Sequence, residues 1–247
     1  MNNKVITFWS HCPGSGASFT AINVAKALVE KKINCVLFDF DLANPSLATY
    51  FDNEDMMHGL DNLLPYVAGN NLTQNILSDN YQKKGSVTWL RGTELPEHSR
   101  YIKAEDLSGI VEIAKEISDV LILDTSGIVN NAGTYVSLKM ADKTFIVTDK
   151  DTIKIRRYSQ IKAYADAEIK NLSLILNMGC NKAVPLDIKE VSEYYGITES
   201  YELPDLGKEF TKALNKGKWH EYMSKNKHSA RDYNKKLQGV IQSIIKD

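Results

Sequence analysis

VITFWSHCPGSGASFTAINVAKAL, residues 5–28, is the stretch on which the fold reading turns. Val5–Trp9 is a short β-branched and aromatic run, which reads as a buried strand. Ser10–Gly16 is a loop holding two glycines, and from Ser18 onward the apolar residues recur at helical spacing. Strand, glycine-bearing loop and helix in that order form the first half of a βαβ unit. Glycines let backbone amides crowd around a phosphate, and the helix N-terminus adds its dipole. A hydroxyl in the first helical turn, Ser18, is placed to bind Mg²⁺. A G-x-G before a helix is also ordinary turn and capping chemistry, so this segment needs support from elsewhere.

That support comes from the strands that follow. VLFDFDLANPSL, residues 36–47, ends a buried strand with Asp39 and Asp41, one residue apart. DVLILDTSG, residues 119–127, ends a second apolar strand on Asp124. Carboxylates at the carboxyl ends of parallel strands lie in the crevice where open α/β sheets bind ligands. The complete strand set is expected at 5–9, 35–40, 87–91, 120–124, 144–147 and 172–177. Helices are expected at 18–31, 60–67, 104–117, 131–140, 152–167, 185–195, 206–215 and 231–246. Strands alternating with helices predict an α/β fold, a mostly parallel sheet with helices on both faces. Residues 53–84 and 217–229 are the loosest stretches. Strands or helices of the same pattern stand on both sides of each, so one domain over 1–247 is expected.

The order and spacing of these segments resemble the MinD/ParA superfamily of deviant P-loop ATPases, over nearly the whole chain. The stretch from Asp39 to Leu47 is also similar to bacterial tyrosine-kinase domains and to the pilus-positioning proteins CpaE and TadZ. The resemblance implies a single three-layer P-loop NTPase domain that binds ATP and Mg²⁺. It implies that the loop residues Pro13, Gly14, Ser15, Gly16, Ala17, Ser18 and Phe19 surround the phosphates. It gives Asp41 the water-orienting role, with Ser18, Asp39, Asp41 and Asp124 around the metal. Asn177, Pro204 and Asp205 fall where family members contact the adenine. It further implies a homodimer and a protein partner or cargo.

The departures are as informative as the match. The family loop reads K-G-G-x-G-K-[ST]; here Cys12-Pro13-Gly14-Ser15-Gly16-Ala17-Ser18 stands in its place, with no lysine. Ala17 occupies the position of the cation that binds β- and γ-phosphate, and Cys12 that of the lysine that crosses to a dimer partner. Pro13 has no N–H to offer a phosphate. Cations of the second kind are worth about 10³–10⁵ in rate in related phosphoryl transfers. Slow or absent hydrolysis is therefore expected, unless a lysine such as Lys150 or Lys154 supplies the charge from elsewhere. A tyrosine-kinase reading rests on the Asp39–Leu47 stretch alone, and no tyrosine cluster lies near residue 247.

Composition adds boundaries. The formal net charge of −1 gives no global attraction to nucleic acid or membrane. The lysine-rich segment 216–236 could meet a DNA backbone, but a solvated loop and helix start is the favoured reading, and DNA binding is not. The last helix carries an apolar stripe of Leu237, Val240, Ile241, Ile244 and Ile245. Packing on the sheet is expected for it rather than peripheral membrane association. Cys12, Cys35 and Cys180 show no CxxC spacing and read as inert thiols in a cytoplasmic protein.

Overall fold

The computed structural model describes residues 3–53, 55, 57–127, 131–177, 186–224 and 227–246. Eight strands join one sheet: β1 (Lys4–Trp9), β2 (Cys35–Asp39), β3 (Gln82–Lys84), β4 (Val87–Leu90), β5 (Val120–Thr125), β6 (Lys143–Thr148), β7 (Leu172–Leu176) and β8 (Ser200–Glu202). Their spatial order is β3-β4-β2-β5-β1-β6-β7-β8. Every pairing is parallel except β3 with β4.

Side chains alternate between the faces of a strand, so each strand feeds two cores. On one face Ile6, Phe8, Leu37, Ile122 and Phe145 pack under the helices Ala17–Glu30 and His228–Lys246. On the other, Val36, Phe38, Leu121 and Leu123 meet the helix Ala104–Glu116. Beyond them on that second face, Trp9, Ile146 and Leu176 meet Tyr158 and Tyr195. The helix Ala17–Glu30 is buried nearly all round because it packs on both the sheet and the last helix. Leu237, Val240, Ile241 and Ile244 are buried in the core shared by the sheet and the helix Ala17–Glu30, as the sequence reading expected of a helix packed on the sheet, while Ile245 stays at the surface.

Three sequence expectations need correction. The helix expected at 152–167 is two short helices, Thr152–Arg157 and Lys162–Glu168, separated by a 3₁₀ turn at Tyr158–Gln160. Tyr158 sits there stacked on Tyr195, with ring centroids 4.0 Å apart. Residues 217–229 hold the helix Trp219–Ser224, whose Trp219, Tyr222 and Met223 are buried. Trp219 packs edge-on against Phe19 and donates its indole N–H to the Tyr50 carbonyl at 2.9 Å. The edge strands β3 and β8 lack the apolar runs of central strands and were not expected; β3 is Gln-Lys-Lys. Residue 185, where the helix before Tyr195 was expected to start, lies outside the described residues; the helix runs over Ile188–Tyr195.

Candidate functional site

β1, β2 and β5 are neighbours, so the three segments singled out in the sequence converge at their carboxyl ends. Asp39 and Asp124 are register partners on β2 and β5. Each continues its strand's parity toward the face covered by the helix Ala17–Glu30, so both carboxylates point at that helix's first turn. They are 2% and 1% exposed. Asp39 Oδ2 accepts the backbone N–H groups of Ser46 and Leu47, both at 2.8 Å. Asp39 Oδ1 and Asp124 Oδ2 are buried with no hydrogen-bond partner. The Ser46 hydroxyl donates to Ser18 Oγ at 3.1 Å, which links the Asn44–Ser46 turn to the helix start.

Burial raises the pKa of Asp39 to about 7, outweighing the amides it accepts, and the Asp41 charge adds to the rise. Asp124 is also pushed well above the usual carboxylate range, by burial and then by the charge of Asp39. Asp41 is raised by burial as well, though it is only half-buried. Two desolvated carboxyls side by side, each with an unpaired oxygen, want a proton or a cation between them. A Mg²⁺ ion fits this donor set, with Ser18 as a third oxygen. Among the described residues, no group of three His, Cys, Asp or Glu side chains converges as a metal cluster. A metal here would therefore draw its remaining ligands from water or phosphate, as Mg²⁺ habitually does.

Above the carboxylates lies a cleft of about 400 Å³, lined by Pro13–Ser18 on one wall and Asp41, Asn44, Ser46 and Tyr50 on the other. Gly16, at φ +85°, ends the loop in the left-handed region as the N-cap of the helix, a conformation that suits glycine. The opposite side is built by close backbone approach. A Cβ on Gly133 would lie 2.2 Å from the Phe40 carbonyl oxygen, so only glycine lets the helix Ala132–Met140 press on the acidic strand end. Among the described residues, no lysine or arginine lines this cleft.

The remaining expected residues are more scattered. Phe19 is buried among Phe210, Trp219 and Tyr233, so only its backbone faces the loop. Asn177 is buried and donates from Nδ2 to the Ser15 carbonyl at 3.0 Å, while its Oδ1 has no partner. Pro204 and Asp205 follow β8 and do not line the cleft; Asp205 accepts the Gly207 N–H at 2.9 Å. Cys12 and Cys35 are buried free thiols, and Cys180 lies outside the described residues. Ser46 and Tyr50 were missed by sequence reasoning. The turn-forming Asn44-Pro45 was the only signal, because a serine after it has no charge to betray a role.

No protein-family model matches the chain. Among solved structures, it superposes on a ParA family ATPase from Chlorobium tepidum with a TM-score of 0.82 at 21% identity, covering 97% of this chain and 99% of that one. The fold is that of the MinD/ParA P-loop ATPases. The MinD septum site-determining protein of Pyrococcus horikoshii, complexed with Mg-ADP, superposes with a TM-score of 0.76 at 16% identity, covering 96% of this chain and 95% of that one. Sequence comparison points to a different name. The tyrosine-protein kinase CpsD of Streptococcus pneumoniae is 24% identical over 196 residues, 78% of this chain and 82% of the kinase. The tyrosine-protein kinase YwqD of Bacillus subtilis is 25% identical over 175 residues, 70% and 72% of the two chains. On the MinD/ParA fold, then, this chain carries acidic strand ends beside a lysine-free loop after β1.

Proposed function

We propose that this protein binds ATP with Mg²⁺ and hydrolyses it slowly or not at all. In this reading it acts in the cytoplasm as a homodimer that recruits a partner or cargo in subcellular positioning of a pilus, partition or secretion type. The observation that carries the reading is the Asp39–Asp124 pair, buried side by side with one unpaired oxygen each, beside Ser18. Such a pair is costly to keep unless a bound cation repays it. In the bound state Mg²⁺ would neutralise phosphate charge. Ser18 and the two aspartates would hold it, and the amides of Gly14–Ser18 would receive phosphate oxygens. Asp41, which lines the same cleft, would orient a water. Support for slow turnover is chemical: no ammonium stands at Ala17 or Cys12 to stabilise charge as the terminal phosphate leaves. Among the described residues, no helix is long and apolar enough to cross a membrane.

Isothermal titration with Mg-ATP tests the binding, and phosphate release under saturating Mg-ATP tests the turnover. Heat of binding without turnover is expected. Turnover that disappears in Asp41→Ala would replace this reading with an active ATPase switch. A second reading, phosphoryl transfer to tyrosine, is favoured by the resemblance to CpsD and YwqD. Phosphotyrosine appearing on the protein incubated with Mg-ATP, and absent in Asp41→Ala, would establish it.

A further inference from the structure

The phosphate loop lacks its own cation, but one stands close by. A Cβ on Gly14 would lie 3.9 Å from Lys154 Nζ, so the Lys154 ammonium rests over the loop's first glycine. Lys154 belongs to the helix Thr152–Arg157, which follows β6, the strand beside β1. Its backbone is fixed: the Lys154 carbonyl accepts a 2.7 Å hydrogen bond from His11 Nε2, two residues before Pro13. The His11 ring is itself packed edge-on against Tyr158 and Tyr195. Burial lowers the His11 pKa, consistent with a neutral ring that donates through Nε2.

The side chain, by contrast, is held by one replaceable partner. Lys154 Nζ pairs with Asp149 Oδ2 at 2.6 Å. Asp149 is in turn anchored, because its Oδ1 accepts the Asp151 N–H at 2.9 Å. The pair is partly exposed, with the two side chains 22% and 16% accessible. A flexible four-carbon stem on a fixed backbone can exchange one oxyanion for another without moving the fold. A phosphate on the amides of Gly14–Ser18 would present several such oxyanions beside it.

We propose that Lys154 is the phosphate-binding cation of this protein, parked on Asp149 when the loop is empty and transferred to a nucleotide phosphate when it is filled. The proposal rests on the nucleotide-binding reading above and names the residue that completes it. No bond is made or broken; an ion pair changes partner. Asp149 then acts as an internal competitor that sets the affinity. The two residues of one ion pair therefore have opposite effects on binding, which a purely structural pair would not show.

The test is titration of wild type, Lys154→Met, Lys154→Arg, Asp149→Asn and Asp124→Asn with Mg-ADP and Mg-ATP, with thermal unfolding of each variant as a fold control. Lys154→Met should weaken Mg-ATP by about tenfold, as loss of a partly desolvated charge partner does. Lys154→Arg should restore most of the affinity, and Asp149→Asn should tighten binding. If Lys154→Met binds as wild type does, or if Asp149→Asn weakens binding alongside it, the proposal is overturned. Should Asp124→Asn lose binding while Lys154→Met keeps it, the nucleotide reading stands and only the role of Lys154 falls. A wild-type protein that binds neither nucleotide sinks both.

Discussion

The buried carboxylates and the loop that lines the cleft differ in what holds them. The acidic pair beside the cleft, Asp39 and Asp124 at adjacent strand ends, is buried and fixed by sheet register, by the amides of Ser46 and Leu47, and by the close approach of Gly133. The loop, Pro13–Ser18, turns through Gly16 in the left-handed region and offers no charged side chain. One part carries its charge on fixed side chains and the other carries none. Main-chain geometry and ionic chemistry are therefore separable here, and each can be perturbed alone.

The largest expected effect breaks the seat of the acidic pair mechanically. Gly133→Ala would drive a methyl group into the Phe40 carbonyl, and about 3 kcal/mol of stability should be lost in chemical denaturation. Next, Asp124→Asn should leave the fold intact but remove the proposed cation ligand, and Mg²⁺-dependent nucleotide affinity should fall about 100-fold by titration. The same variant should be more stable than wild type without metal, because a costly buried charge is gone. Ala17→Lys sharpens the contrast from the other side. If the loop path is intact, a restored ammonium should tighten Mg-ATP by about tenfold.

A milder perturbation is pH. Asp39 is raised from 3.8 to about 7, so the folded protein holds a proton that the unfolded chain releases through this range. The metal-free protein should therefore lose stability as pH rises from about 4 to about 7, and Mg²⁺ should restore it above that window. Thermal unfolding across pH, with and without the ion, reads this directly. Smallest is Ser46→Ala, which deletes the hydroxyl bond to Ser18 and should cost about 0.5–1.5 kcal/mol.

How legible this was in the sequence follows the same division. The central strands announce themselves as apolar runs, since burial on both sides demands it; Val120–Asp124 and Val5–Trp9 were placed to within a residue. The edge strands β3 and β8 obey no such demand and were missed. The 3₁₀ break at Tyr158 depends on stacking with Tyr195, 37 positions away, which local periodicity does not encode. Asp39, Asp41 and Asp124 could be picked out because charge at the end of a buried strand is conspicuous. Lys154 was named beside Lys150 as an outside cation, but its seat over Gly14 was not readable, since it arises only when β6 lies beside β1.

The amides of Ser46 and Leu47 both terminate on a single oxygen of Asp39, at the start of the short helix Leu47–Phe51. Whatever settles on the other oxygen, a proton or a divalent ion, alters the electron density those two N–H groups feel. Their resonances in a nitrogen-correlated NMR spectrum thus form a native readout of the carboxylate, without label or substitution. Ion titration and acid titration should each move that pair of peaks.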